Sequence, residues 1–465
     1  MFNSEVYRRR REELTKKFHS GLLLFMGNEE SPMNFKDNTY HFRQDSTFLY
    51  YFGISAPGLA AAIDINTNQH ILFGNEMTID EIVWMGRQET LKEKALQSGL
   101  ELVRPLDELP SFLNSAKSSN RPVRYLPPYR EANKIKLSQL LGTELFKMES
   151  GASVDFIKAV VAQRSIKDEL EVEEIEKAVD LTVDMHTTAM SVARPGISEN
   201  EVAAAIHQVA LAHGGNLSYP IILTTHGEIL HNHFHQNILK EGDLVLNDSG
   251  AETAMGYCGD LTRTFPAGKK FTARQKELYD IVLTSLNEAS SKLKPGITFR
   301  EIHFEGCKTL ARGLKDVGLM RGDIEEAVAI GAHAMFFQCG IGHMMGLDVH
   351  DMEDLGEQYV GYSENLTKET QLFGLKSLRL GKALEPGFVL TVEPGIYIIP
   401  ELIDRWKAEK KFEDFINYNL LESYRDFGGI RIEDNYLITS QGARLLGKPL
   451  AKASEEVEKL REKAY

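Results

Sequence analysis

Hydrophobic and polar positions divide this chain into two differently patterned stretches. In the first third, apolar residues at helical spacing over 5–18, 80–85 and 91–98 alternate with short apolar runs at 21–26, 60–65 and 70–74 that read as strands. Alternation of this kind predicts an α/β domain with an open sheet. A long charged helix is expected next, over about 165–194, with Leu170, Ile175, Val179 and Val183 on its apolar face and the acidic run between them on its solvated face. Helices over about 198–213, 272–292 and 298–315 follow, alternating with strand hairpins. Pro195-Gly-Ile-Ser198 and Pro295-Gly-Ile-Thr298 are one phrase used twice, each ending a helix and opening the next with a Ser/Thr cap. Their recurrence hints at an internal duplication. These patterns place a boundary before residue 165, giving an α/β domain over 1–164 and an α+β domain over 165–465. Residues 453–463 read as a polar helix or frayed tail.

Composition narrows the function classes. A formal net charge of -14 argues against a general nucleic-acid binder, whose phosphate contacts need a basic surface. Cys258, Cys307 and Cys339 form no CxxC pair, so neither a disulfide framework nor a structural zinc site is expected. The charged residues 8–13 fit the polar face of a first helix, and the run from Leu22 to Met26 is too short for a membrane span. A cytoplasmic protein without membrane or nucleic-acid partners is the expectation.

Candidate chemistry concentrates in four segments. Asp248 to Asp260 reads as a strand, a Gly-containing turn and a second strand, with a hairpin tip near Ala254 setting the two Asp side by side. Two carboxylates that close repel unless a cation or shared proton compensates them. Alone, such a pair reads more simply as a solvated turn. His343 and His350 stand seven residues apart among glycines that let backbone approach a ligand. Glu393 lies inside the apolar strand 389–397, where a lone carboxylate needs a partner. Glu433 lies on an alternating strand with Arg431 on its face, either as part of a site or as a simple ion pair. Four carboxylates and one neutral imidazole match the charge of two divalent cations. Oxygen-rich ligation points to manganese, with cobalt or zinc as alternatives.

Together these segments resemble aminopeptidase P and prolidase, the proline-specific metallopeptidases of the pita-bread (creatinase/aminopeptidase-like) fold. The phrases Asp260-Leu-Thr-Arg-Thr-Phe-Pro, Gly346-Leu-Asp-Val-His-Asp, Thr391-Val-Glu-Pro-Gly-Ile-Tyr and Arg431-Ile-Glu-Asp-Asn carry the resemblance, which extends over nearly the whole chain. It implies an aminopeptidase P-type domain over 1–164, a pita-bread catalytic domain over 165–465, and hydrolysis of the Xaa-Pro bond of dipeptides or short peptides. It also implies Asp248, Asp260, His343, Glu393 and Glu433 as metal ligands, with Asp260 and Glu433 bridging both ions. Glu393 doubles as the proton-carrying residue, and His231 and His350 stand beside the substrate. Arg431 and Tyr397 line the site. Trp84 matches a loop residue near an active site, often a neighbouring subunit's, although a core or interface aromatic fits it equally well. A homodimer or homotetramer is therefore expected. Cys339 stands where the family often has His, four positions before His343. The chain around 374–379 and the long insertion from Pro400 to Phe427 look like prolidases. The competing class is a non-catalytic pita-bread module that binds proteins, but such relatives usually lose metal ligands.

Overall fold

A computed structural model describes residues 1–464, which form two compact units: Met1–Arg164 with Met352–Tyr359, and Ser165–Asp351 with the chain from Val360 on. The N-terminal unit is built on a five-stranded sheet in the order Leu102–Pro105, Gln69–Gly74, Ala60–Asp64, Leu22–Met26, Val123–Tyr125. Its three central strands pair antiparallel and its two edge strands parallel. Leu22, Leu24, Ala60, Ala62, Ile71 and Phe73 point to one face, where Leu109, Leu113 and Ala116 of the Leu109–Ser118 helix cover them. On the other face Phe25 packs against Phe52 and Phe156, each with ring centroids 5.1 Å away. Both faces are covered, which is why these strands read as continuous apolar runs rather than clean alternation.

The charged first helix is only partly a solvated element. In Ser4–Thr15, Arg10 and Arg11 are buried. Arg10 donates to the Tyr50 carbonyl at 3.1 Å, and Arg11 to the carbonyls of Tyr51 at 2.7 Å and Ser98 at 2.8 Å. These carbonyls end the helices Ser46–Phe52 and Leu91–Gln97, where no intrahelical donor remains and the helix dipole favours a cation.

The second unit is α+β. Helices Glu169–Val192, Glu199–Ala212, Ala273–Ser291 and Phe299–Asp316 surround short twisted sheets. One sheet runs Leu261–Pro266, Leu244–Ser249, Ile222–Thr224; another runs Val389–Val392, Asp434–Ile438, Ala443–Leu445. A two-stranded ribbon of Gly395–Tyr397 and Gly429–Arg431 falls in sequence between the Val389–Val392 and Asp434–Ile438 strands. The repeated phrase behaves the same way twice. Gly196 and Gly296 adopt φ of 95° and 88°, and their N–H groups donate to the carbonyls of Leu239 and Leu384. Ser198 and Thr298 then form capping boxes with Glu201 and Glu301. Each leucine leads into a strand, and Asp248 and Glu393 each stand nine residues beyond it.

Two local expectations need correction. Leu170 is 39% exposed, because it falls in the first turn and the buried stripe starts at Val172. The acidic run is not wholly solvated, since Glu171 is buried and accepts the Tyr257 hydroxyl at 3.1 Å. Of the two readings of the C-terminal segment, the helix holds, over Ser454–Lys463, and it is docked. Its buried Arg461 donates to the carbonyls of Ala193 and Ala267, each at 2.6 Å.

Candidate metal centre

The Asp pair stands on a twisted antiparallel hairpin. Leu244–Ser249 and Leu261–Pro266 pair with Asp248 opposite Thr262, so Asp260 falls diagonally across from Asp248 and not beside it. The reason is the tip. Gly256, at φ 86°, donates its N–H to the Thr253 carbonyl at 2.8 Å, centring the hairpin on Met255 instead of Ala254. Residues two apart on a strand share a face, so both carboxylates still point the same way. The Tyr219 hydroxyl lies between them, 2.6 Å from Asp248 Oδ1 and 2.5 Å from Asp260 Oδ1. It has one proton to donate. The second oxygen–oxygen contact is repulsive unless that carboxyl is protonated or a cation lies alongside.

His343 approaches from the other half of the unit. Its backbone runs beside Val389–Val392: the His343 N–H donates to Thr391 Oγ1 at 3.1 Å and its carbonyl accepts the Thr391 N–H at 2.9 Å. Gly342 makes this possible, because a Cβ there would sit 2.1 Å from the Thr391 carbonyl oxygen. His343 Nδ1 donates to the Met344 carbonyl at 3.1 Å. That orients the ring and turns Nε2 toward Asp260 Oδ2 at 3.4 Å and Glu393 Oε1 at 3.5 Å. Glu433 closes the centre. Its N–H donates to the Thr262 carbonyl at 3.1 Å and its Oε2 accepts the Thr262 hydroxyl at 2.7 Å. Glu433 Oε1 is buried with no hydrogen-bond partner. Ligand atoms of Asp260, His343 and Glu433 all lie within 4.8 Å of one another.

The electrostatics follow from four carboxylates sharing little solvent. Burial raises the pKa of Glu433 well above the usual carboxylate range, and the charges of Asp260, Glu393 and Asp248 push it the same way. Burial likewise lifts Glu393 to about 7. Asp248 is raised by burial against the opposing charge of Arg431. For Asp260 burial also acts upward, yet the His343 hydrogen bond and charge together hold it below the usual value.

Arg431 lies at hydrogen-bond distance from one of these carboxylates. It donates to Asp248 Oδ2 at 2.5 Å, to the Tyr397 hydroxyl at 2.8 Å and to Thr262 Oγ1 at 3.2 Å. Its guanidinium therefore braces Asp248, and Tyr397, fully buried, stands behind it. The His350 ring lies 4.3 Å from that of His343, tilted by 67°. His231 is solvent-exposed but close enough to Arg431 and Asp248 for their charges to act on it. His233 and His235 of the same tract are instead directed at the Ile221 carbonyl. Burial raises the Cys339 thiol to about 12, with the Glu393 charge next in effect. Trp84 belongs to the N-terminal unit, where it is 85% exposed on helix Ile79–Met85.

Four supporting residues escape sequence reading: Tyr219, Thr262, Thr391 and Asn435. Asn435 clamps Asp260 by accepting its N–H at 3.2 Å and donating to its carbonyl at 2.5 Å. Thr262, Thr391 and Asn435, two residues from Asp260, Glu393 and Glu433 respectively, carried a hint in their spacing, and Tyr219 carried none.

This donor set fits divalent cations. His343 Nε2 faces two carboxylate oxygens, which it can satisfy only by taking up a proton or by sharing a cation with them, and the buried Glu433 Oε1 has no hydrogen-bond partner. One guanidinium cannot balance four carboxylates.

Comparison with known proteins agrees with this geometry. Residues 173–440 match the model of metallopeptidase family M24, and residues 7–125 that of the aminopeptidase P N-terminal domain. The Xaa-Pro aminopeptidase of Escherichia coli K12 is 31% identical over 98% of this chain and 97% of its own length. The Xaa-Pro dipeptidase of Homo sapiens is also 31% identical, over 91% of this chain and 85% of its own. The structure of E. coli aminopeptidase P with the inhibitor Pro-Leu superposes with a TM-score of 0.81 at 30% identity, covering 100% of this chain and 99% of the other. A zinc-substituted form of that enzyme in complex with product gives 0.81 at 29% identity, with the same coverage.

Proposed function

The chain belongs to metallopeptidase family M24, among its Xaa-Pro aminopeptidases and dipeptidases, and from that premise we propose that Asp248, Asp260, His343, Glu393 and Glu433 hold two divalent ions. The protein is a metal-dependent exopeptidase that hydrolyses the Xaa-Pro bond at the N-terminus of short peptides. The observation that carries the ligand assignment is the unpaired geometry of the centre. Glu433 Oε1 is buried without a hydrogen-bond partner, and His343 Nε2 faces two carboxylate oxygens that only an added proton or a shared cation reconciles with it.

The chain's own residues divide the work. Asp260 and Glu433, drawn together over Thr262, would bridge the ions. When bound, the ions would supply Lewis acidity toward the scissile carbonyl and lower the pKa of the attacking water. Glu393, whose side chain is 19% exposed against 7% for Asp260, would carry the proton to the leaving proline nitrogen. His231 and His350 would hydrogen-bond the substrate and the developing oxyanion. Arg431 holds Asp248 in place, and Tyr397 holds Arg431. An Xaa-Pro bond is a tertiary amide with no N–H, so the site recognises its substrate by the free amine and the proline ring.

Manganese is the proposed metal, because the donors are oxygen-rich, with cobalt or zinc next. Residues 1–164 are proposed as the aminopeptidase P-type domain and 165–465 as the catalytic domain. Trp84 stands with exposed Ile79, Val83 and Met85. That patch supports a homodimer or homotetramer in which Trp84 reaches a neighbour's substrate. The three cysteines form no disulfide among the described residues, which supports a cytoplasmic location, and among the described residues no helix is long and apolar enough to cross a membrane. The sequence keeps all five donor residues, which supports the catalytic reading over the non-catalytic alternative.

Chelation followed by readdition of manganese, cobalt or zinc tests the reading. Hydrolysis of Xaa-Pro dipeptides and Xaa-Pro-Xaa tripeptides should vanish and return. Full activity in metal-free enzyme would end it, and the ratio of the two rates separates dipeptidase from aminopeptidase.

A further inference from the structure

We propose that His303, Cys307 and His333 form a second metal site, built for a thiophilic d10 cation such as zinc and distinct from the carboxylate centre. His303 and Cys307 are four residues apart on the Phe299–Asp316 helix, hence on one face, and that face is buried. His333 comes from the 3-10 turn Ala332–Met335, which starts after Gly331 at φ 87°. One ligand atom from each lies within 4.8 Å of the others.

Distances favour ligation over packing. Cys307 Sγ is 3.5 Å from His303 Nε2. With Zn–S of about 2.3 Å and Zn–N of about 2.0 Å, a tetrahedral angle sets sulfur and nitrogen roughly 3.5 Å apart. A thiol–imidazole hydrogen bond explains that pair equally well but leaves His333 unexplained. His333 is 5% exposed, and its Nδ1 is buried without a hydrogen-bond partner. The one thiol proton cannot serve both rings, and an unsatisfied buried nitrogen is destabilising. A cation accepts both lone pairs and the thiolate at once.

Donor chemistry separates the two sites. Nitrogen and sulfur select zinc or copper(I), whereas the carboxylate centre selects harder ions. As the metal–sulfur bond forms, the Cys307 Sγ–H proton leaves to solvent. Three protein donors leave one position for water or a second thiol, and Cys339 lies close enough for its charge to act on Cys307.

Cobalt(II) is the probe, because a thiolate ligand gives it an intense near-ultraviolet charge-transfer band and the carboxylate centre contains no sulfur. Full-length enzyme, reduced and metal-free, should develop this band to one equivalent per chain, and zinc should displace it. Cys307→Ser should abolish the band. Asp260→Asn should keep it, so loss of the catalytic centre and loss of this site are distinguishable. No band at any cobalt loading overturns the proposal, and so does a band that survives Cys307→Ser and disappears in Cys339→Ser. Should Cys307→Ser fail to fold, zinc-edge X-ray absorption on loaded wild-type enzyme decides: a sulfur at about 2.3 Å supports the site, and only nitrogen and oxygen neighbours refute it.

Discussion

Replacing Arg431 by alanine tests how the centre is held together. The guanidinium makes three contacts in a buried setting: Asp248 at 2.5 Å, Tyr397 at 2.8 Å and Thr262 at 3.2 Å. Removing one partner of a buried ion pair destabilises by about 3–5 kcal/mol, because the other charge is left uncompensated. Two bound cations would offset part of this for Asp248, so the lower end applies to the loaded enzyme. At about 1.4 kcal/mol per decade, 3 kcal/mol is on the order of a hundredfold loss in kcat/KM. From sequence alone Arg431 could pair with the free carboxylate of a dipeptide, and its loss would then fall mainly on dipeptides. The structure commits the guanidinium to Asp248 and Tyr397. The expected outcome is an equal loss on Xaa-Pro and Xaa-Pro-Xaa substrates, together with a lowered metal content. Arg431→Lys should recover little, since one ammonium cannot span the same three partners. A dipeptide-selective loss exceeding about tenfold, with metal content unchanged, would refute the bracing role.

Tyr219→Phe removes the hydroxyl shared by Asp248 and Asp260, and metal affinity should fall by roughly 10–100-fold, measured by competition with a chelator. Cys339→His should alter kcat/KM on Xaa-Pro substrates without changing metal content at the carboxylate centre; unchanged kinetics on every substrate would reduce Cys339 to packing. His70 gives a pH test away from the metals: burial, then the nearby Arg11 charge, lowers its pKa from 6.5 to about 4. The unfolded chain binds the proton first, so this stability is present above pH 6.5 and is lost as pH falls toward 4. His70→Gln should flatten that part of the thermal-melting profile, and an unchanged profile would exclude His70 as its source.

Elements fixed by local chemistry were legible before the structure. The helices after Pro195-Gly196 and Pro295-Gly296 begin where the Ser and Thr caps place them, because capping is decided within four residues. The shared face of Asp248 and Asp260 was also readable, since it depends only on strand period. Their diagonal offset was not, because it depends on which residue the tip at Gly256 makes central. Tyr219 was invisible for a different reason: it reaches the centre from a segment 29 residues before Asp248, and nothing local marks a tyrosine as a carboxylate partner. Arg11 and Arg461 looked like surface charge. Their burial follows from helix-ending carbonyls supplied by distant elements, which leave no mark on the neighbouring sequence.

Thr262 and Glu433 join a hairpin from one copy of the repeated phrase to a strand from the other, through both backbone and side chain. Asp248 and Asp260 arrive with the first copy; His343, Glu393 and Glu433 arrive with the second. A cation bound across this seam is therefore also a fastener, and its occupancy is linked to the docking of the two halves. At a free concentration a hundred times its dissociation constant, a ligand that binds only the docked form adds about 2.7 kcal/mol to its stability. By reciprocity, a substitution that loosens the seam anywhere along its length weakens the grip on the ion, even where it touches no ligand.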